Sequence, residues 1–169
     1  MNNQEFEHCV VFDISRDELE EYIDLFNEFA KQKNILKIEA HRIKAYHQNK
    51  ILAISYIKQK GEFLSVNFYR VTQQRAANLY TFHLKHKDKI GFSASHFGRA
   101  HRTLHWLDVK YFKGIGVKVY DFCGWYNGTE DQALLSINKF KEQFTTNKIK
   151  EYSGVIYKSR IIRFLKQWR

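Results

Sequence analysis

The stretch from Phe92 to Trp125 constrains the fold most, because it joins a long amphipathic helix directly to a buried strand. Phe97, Ala100, Leu104, Leu107 and Tyr111 recur at helical spacing, which predicts a helix from about Phe97 to Lys113 with one broad apolar face. Gly114 and Gly116 supply a helix exit. Val117, Val119, Tyr120 and Phe122 then read as a buried strand. Ser95 and Gly98 open the helix in this reading, with Arg99, His101 and Arg102 in its first turn. Unbonded amides, a positive dipole end and basic side chains make such a start an anion site. The phosphates of a donor molecule are its expected occupant.

The rest of the chain supplies strands and helices to either side. Cys9 to Ile14 reads as a first strand, and Ser15 with Glu18 three residues later forms a capping box. Leu19, Ile23, Phe26 and Phe29/Ala30 line the buried face of that helix, which runs to about Lys33. Ile35 to Ala45 fits either a short helix or a loop. Ile51–Tyr56 and Phe63–Tyr69 read as strands about a turn at Lys58–Glu62, and Leu64, Val66 and Phe68 alternate with polar Ser65 and Asn67. Ala76–Leu84 is a further strand, followed by a basic loop from Lys85 to Lys89. After the Val117–Phe122 strand comes a helix over about Thr129–Phe144, with Ala133, Leu134, Ile137, Phe140 and Phe144 inward. Ile149–Tyr157 reads as one or two last strands, and residues 159–169 as a basic amphipathic tail. This order predicts an α/β (α+β) fold, a mixed central sheet with helices on both faces. The 169 residues suit a single domain.

Charge narrows the partners. The first thirty residues hold nine acids and one base, so residues 31–169 carry +18 of the overall +10. Five of eight histidines lie between His83 and His105 among Lys85, Lys87, Lys89, Arg99 and Arg102. A polyanionic ligand matches that tract, and a solvated basic face is the plain alternative. Cys9 and Cys123 have no CxxC partner, which fits a cytoplasmic protein with thiols. The start MNNQEFEH has neither basic residues before an apolar run nor the run itself, so no signal peptide is expected. No apolar stretch is long enough to span a bilayer.

A family resemblance rests on the central helix. Ser95-His96-Phe97-Gly98-Arg99-Ala100 resembles the Q/R-x-x-G-x-G/A motif of GNAT acyltransferases, departing at Ser95. The series Gly98-Arg99-Ala100-His101-Arg102-Thr103-Leu104-His105-Trp106, then Tyr120-Asp121-Phe122-Cys123-Gly124, then Ile137-Asn138-Lys139-Phe140-Lys141 is similar to a GNAT-like pattern related to the Fem-type peptidoglycan bridge transferases. His101 stands where that pattern has Asn, and Cys123 where it has Gly. The likeness covers about a third of the chain. It implies transfer of an acyl group to an amine or hydroxyl and leaves the carrier open; in a GNAT-like site an acyl-CoA donor, acetyl-CoA above all, would lie between the strands Leu79–His83 and Val117–Phe122. Main-chain groups around Tyr80, Thr81 and Phe82 would hold the pantetheine arm. Amides of Phe97, Gly98, Arg99 and Ala100, with Arg99, His101 and Arg102 beside them, would hold the pyrophosphate.

An amine acceptor must lose a proton before it attacks, so a base is wanted near that gap. Asp121 ends an apolar strand and is the first candidate, with arginine pairing or capping as its structural alternative. His105 could act through water or be a hydrogen-bonded structural histidine. Tyr126 could protonate the leaving sulfur or be a loop tyrosine. Cys123 fits a small buried thiol better than a nucleophile, and Lys141 a solvated lysine better than a phosphate ligand. His101, His105 and Asp108 share a helix face at metal-ligand spacing, but Arg102 stands where a zinc-protease motif needs Glu, and no metal is expected. Three function classes remain. One is an acyl-CoA-dependent N- or O-acyltransferase acting on a small-molecule acceptor, such as an activated sugar for an envelope glycan. The second is an aminoacyl-tRNA-dependent transferase. The third is a nucleic-acid or membrane-surface module, the membrane reached through the C-terminal tail, although no RRM or KH motif appears. The tail could also make a homodimer contact.

Overall fold

A computed structural model describes residues 6–84, 92–145 and 147–152. The basic loop, most of the last predicted strand and the tail lie outside them. By its contacts the chain divides into two compact units, Met1–Glu130 and Asp131–Arg169.

The first unit is built on a five-stranded sheet in the order β1-β2-β3-β4-β5. Strands β1 (Glu7–Val11), β2 (Leu52–Gln59), β3 (Glu62–Val71) and β4 (Arg75–His83) are antiparallel neighbours, and β5 (Val119–Asp121) joins β4 in parallel. The β2–β3 hairpin closes on Lys60 and Gly61, both at positive φ (54° and 78°), the conformation a two-residue turn needs to match strand twist. Helix α1 (Arg16–Lys33) starts with the capping box: Glu18 N–H donates to Ser15 Oγ at 3.2 Å, and Ser15 N–H to Glu18 Oε2 at 2.9 Å. The ambiguous stretch resolves into a loop and α2 (Ala40–Gln48). Leu19, Ile23, Phe26, Ala30 and Ile43 of these two helices bury one sheet face with Leu52, Ile54, Val66, Phe68 and Phe82.

Helix α3 (Ala94–Gly114) covers the other face. Phe97, Ala100 and Leu104 pack on Ile57 and Leu64, and Phe112 packs on Ala53, Tyr69 and Ala76. Between these two apolar patches the interface is polar. Ser65 and Asn67, expected only as the polar alternates of β3, are fully buried under α3, as are Ser55 and Asp108.

In the second unit, α4 (Gln132–Glu142) is capped by Asp131, whose Oδ1 accepts from Leu134 N–H at 3.0 Å. The expected inward face is corrected: Ala133, Leu134 and Ile137 are exposed or nearly so, and Asn138 is buried. Residues 149–152 form no strand.

Candidate active site

Strands β4 and β5 pair at only three positions, ending at Ala77↔Asp121. Just beyond, β4 carries a bulge: Tyr69 opposes Asn78 and Phe68 opposes Tyr80, so Leu79 is extra. A bulge bends its strand and re-aims the residues beyond it. Here it comes where β4 leaves β5, so the open edge of β4 begins at Asn78. Leu84 N–H bonds the directly opposed Leu64 carbonyl at 3.3 Å, which sets the antiparallel alternation. Phe82 and Tyr80 therefore turn their main chains to β3, while Thr81 and His83 turn theirs to the open edge. Of the three residues expected to offer main-chain groups there, Thr81 does so. The Tyr80 hydroxyl instead accepts from Glu39 N–H at 3.2 Å, and Phe82 is core.

Helix α3 begins earlier than its apolar spacing suggests. Ser93 is the N-cap, its Oγ accepting from His96 N–H at 3.3 Å, and Phe97 N–H already bonds the Ser93 carbonyl. In an α-helix each later amide bonds four residues back, so Gly98, Arg99 and Ala100 have no N–H to spare. That corrects the expected amide cradle: the first-turn donors belong to Ala94 and Ser95, with Phe97 and Ala100 buried in the core. Arg99 and Arg102 are exposed one turn further on. Arg99 Nη2 lies 3.4 Å from His96 Nδ1, and Arg102 Nη1 donates to the Gly98 carbonyl at 3.3 Å. His101 turns away from that end, toward the sheet, with Nδ1 3.0 Å from Ser65 Oγ.

The polar patch under α3 is centred on Asp108, which is 0% exposed. Its Oδ2 accepts from Ser55 Oγ (2.6 Å), Tyr69 OH (2.6 Å) and Asn67 Nδ2 (3.0 Å). His8 Nε2 lies 2.8 Å from its Oδ1. Strand register explains the gathering, since Ser55, Asn67 and Thr81 oppose one another across β2, β3 and β4. A buried carboxylate is tolerable only with such a set of donors.

Counting protons fixes the rest. The carboxylate only accepts, so the single hydroxyl proton of Tyr69 points to Asp108. Tyr69 OH is also 2.7 Å from Tyr120 OH, and that contact must use the proton of Tyr120. His105 Nδ1 is 2.7 Å from the same Tyr120 oxygen, so it must bring its own proton. The chain then runs in one direction, His105 Nδ1–H to Tyr120 to Tyr69 to Asp108. Burial, with the Asp108 charge beside them, pushes both phenols well above their ordinary range, so they stay neutral links. His105 is 2% exposed, its ring centroid 4.7 Å from that of His101 and 5.2 Å from that of Phe122 just past β5.

The other candidates fall elsewhere. Asp121 takes Arg75 Nη1 at 3.2 Å on Oδ2 and Cys123 N–H at 2.7 Å on Oδ1. Next to Tyr120 in a strand, it faces the opposite side of the sheet. Cys123 is exposed at φ 53°, not buried. The half-buried ring of Tyr126 lies over Gly128 and leaves no room there for a Cβ. Lys141 is half-buried on α4. Among the described residues no group of three His, Cys, Asp or Glu is arranged to hold a metal ion. Asp108 is visible in the sequence only as a third metal-ligand candidate. Its position on the apolar stripe of α3, four residues after Leu104, is the signal that a buried carboxylate needs partners.

The His101 ring is held down at about 4 from an ordinary 6.5, by burial first and then by His83 and Arg102. Between those values the unfolded chain binds a proton that the folded chain does not. Stability from this group is therefore complete above pH 6.5 and falls as pH drops toward 4, by about 3 kcal/mol. Thermal midpoints should drop from pH 7 to pH 4.5, and His101→Asn should flatten that slope.

No protein-family model matches the sequence, and no curated protein does. Solved structures match in fold. One is an aminoglycoside acetyltransferase from an uncultured soil metagenomic sample, in complex with sisomicin (TM-score 0.54, 9% identity, 90% of this chain and 97% of that one). A ribosomal-protein-alanine N-acetyltransferase from Brucella melitensis biovar Abortus 2308 matches with TM-score 0.54 at 11% identity, over 90% of this chain and 99% of the other. A probable acetyltransferase gives TM-score 0.56 at 8% identity, over 92% and 99%. At such identities the likeness is one of fold: a mixed α+β sheet with its helices, as in the GNAT acetyltransferases.

Proposed function

We propose, with that fold as premise, that the chain is an acyltransferase moving an acyl group, acetyl in the simplest case, from acyl-CoA to the amine or hydroxyl of a small acceptor. The observation that carries the reading is the parting of β4 from β5 beside a buried, directionally fixed proton chain. The residues present suit the donor. Thr81 and His83 offer main-chain groups along an open edge, and the start of α3 with Arg99 and Arg102 offers positive potential to phosphates. The thioester supplies an acyl carbon open to attack by nitrogen or oxygen. His105 is the proposed base, taking through a water the proton the acceptor loses as its bond to that carbon forms. Asp108 steadies the resulting imidazolium through Tyr69 and Tyr120. Tyr126 is the proposed proton donor to sulfur as the carbon–sulfur bond breaks. The base role passes from Asp121 to His105 because the Asp121 carboxylate is committed to Arg75 and Cys123. The Gly98–Trp106 series supports a place near the Fem-type branch, and an activated sugar is the acceptor to try first.

Thermal unfolding with acetyl-CoA, CoA and ATP, at low and moderate salt, tests the reading. CoA species should stabilise by about 2.7 kcal/mol at a hundredfold excess over Kd, and more than ATP at the same concentration. Equal effects of all three would reject it. Salt-steep binding of charged tRNA without a CoA effect would favour the aminoacyl-tRNA alternative, which the +18 charge of residues 31–169 supports.

A further inference from the structure

The two oxygens of Asp108 keep different company. Oδ2 takes its three donors from β2 and β3, all buried under α3. Oδ1 takes His8 Nε2 at 2.8 Å, from the edge strand β1. Alternation along β1 brings this about. Phe6 packs in the patch of Phe97 and Leu104, and Val10 in the patch of Phe112. His8 lies between them on the same face and so meets the polar stretch of the interface. Its side chain keeps 17% exposure, while that of Asp108 has none.

Proton counting decides what this contact can do. The carboxylate only accepts, so His8 Nε2 carries the hydrogen, and the neutral ring has its lone pair on Nδ1. No hydrogen bond reaches that Nδ1 among the described residues, and it is not one of the buried unpaired atoms, so it meets solvent. His8 can therefore take up a proton from water without giving up its bond to Asp108. No other partner of that carboxylate can. Ser55 and Asn67 do not titrate near neutrality, and Tyr69 is a neutral phenol pushed well above its ordinary range. The other titratable groups near β1 stand outside this contact. Ile57 opposes His8 on β2, Glu7 and Cys9 turn to the other face, and along α3 His96 meets Phe6 and Tyr111 meets Phe12. A proton on His8 thus takes the buried pair from one net negative charge to none.

We propose that His8 is a positioning residue for the base, acting through Asp108: the charge His8 carries sets how tightly His105 holds a proton. With His8 neutral, the Asp108 charge favours imidazolium at His105 through Tyr69 and Tyr120. With His8 protonated, that charge is answered at Oδ1 and the support is withdrawn. His105 and Asp108 also lie one turn apart on α3, near enough for direct coupling in a buried interface. The interaction is reciprocal, so a proton on His105 weakens the hold of His8 on its own by the same factor. A partly exposed histidine at one edge of the sheet thereby tunes a buried one beside β5. The role of His105 as base rests on the acyltransferase reading above, whereas the coupling stands or falls without it.

The test is a histidine ¹⁵N titration of the full chain, with His8→Gln and His8→Lys beside the wild type. Both replacements can still donate to Asp108 Oδ1, one always neutral and the other charged. His105 should hold its proton about tenfold less tightly in His8→Lys than in His8→Gln, a midpoint about one pH unit lower. His41, exposed on α2 across the sheet, should titrate alike in both. In wild type the His105 signal should move as His8 titrates, and His8→Gln should abolish that step. Equal His105 midpoints in the two variants overturn the proposal. A shift that His41 shares overturns it too, as a general effect of net charge. If either variant does not fold, wild type on the two sides of the His8 titration supplies that charge state. A shifted His105 midpoint with an unmoved pH profile of kcat would uphold the coupling and reject His105 as base, so the two readings fail separately.

Discussion

Asp108→Ala should lose about 3–5 kcal/mol of stability. The variant strands four groups at once: Ser55 Oγ, Asn67 Nδ2, Tyr69 OH and His8 Nε2 all meet this carboxylate. Ser55, Asn67 and Tyr69 are fully buried on their strands and cannot move out to water, whereas His8 is partly exposed. Asp108→Asn should cost only about 1–2 kcal/mol. Its carbonyl oxygen can keep the three donors on the Oδ2 side, and its NH2 can turn to His8, whose Nε2 can accept in the other tautomer. Asp121→Asn, by contrast, removes a pair with Arg75 that is about a quarter exposed and should cost under about 1 kcal/mol. Urea denaturation of the three variants checks the ranking. At roughly 2–4 °C per kcal/mol, Asp108→Ala should melt about 6–20 °C below wild type. If it melts with Asp121→Asn, the carboxylate does not organise the interface.

That centre shows what pattern reading can and cannot reach. Periodicity finds α1 with its capping box, the hairpins and the core of α3, because each is a local matter of spacing and turn residues. It misses the buried face of α3 by a rotation. The apolar spacing puts Leu107 and Tyr111 on the face, whereas His105, Asp108 and Phe112 occupy it. An apolar-stripe argument assigns polar residues to solvent. Here the partners of Asp108 come from residues 41 and 53 positions away, and only strand register brings them under the helix. Ser65 and Asn67 are misread for the same reason. The start of α3 is misplaced because glycine and basic residues draw attention past Ser93, the side chain that caps it. The open edge of β4 is legible as a strand, but the bulge at Leu79 that parts it from β5 has no sequence mark.

Tyr120→Phe should lower kcat by about a hundredfold or more, in the range of general acid–base contributions, with KM for the acyl donor little changed. The lost hydroxyl links His105 Nδ1 to the tyrosine–aspartate pair, at 2.7 Å to each side. Without it Nδ1 loses the acceptor that fixes the imidazole tautomer, and imidazolium loses the path by which the Asp108 charge is felt. Asp108→Asn separates the two contributions. Its carbonyl oxygen still accepts from Tyr69, so the direction of the chain and the tautomer survive while the charge does not. Its kcat loss should be the smaller, about tenfold. Correlation spectra of ¹⁵N-histidine-labelled protein read the tautomer without an acceptor substrate. Wild type and Asp108→Asn should show His105 protonated on Nδ1 at neutral pH, and Tyr120→Phe should show a mixture. A wild-type proton on Nε2 would break the proton count, and with it the assignment of His105 as base. A correct tautomer with undiminished kcat in Tyr120→Phe would leave the chain as structure alone.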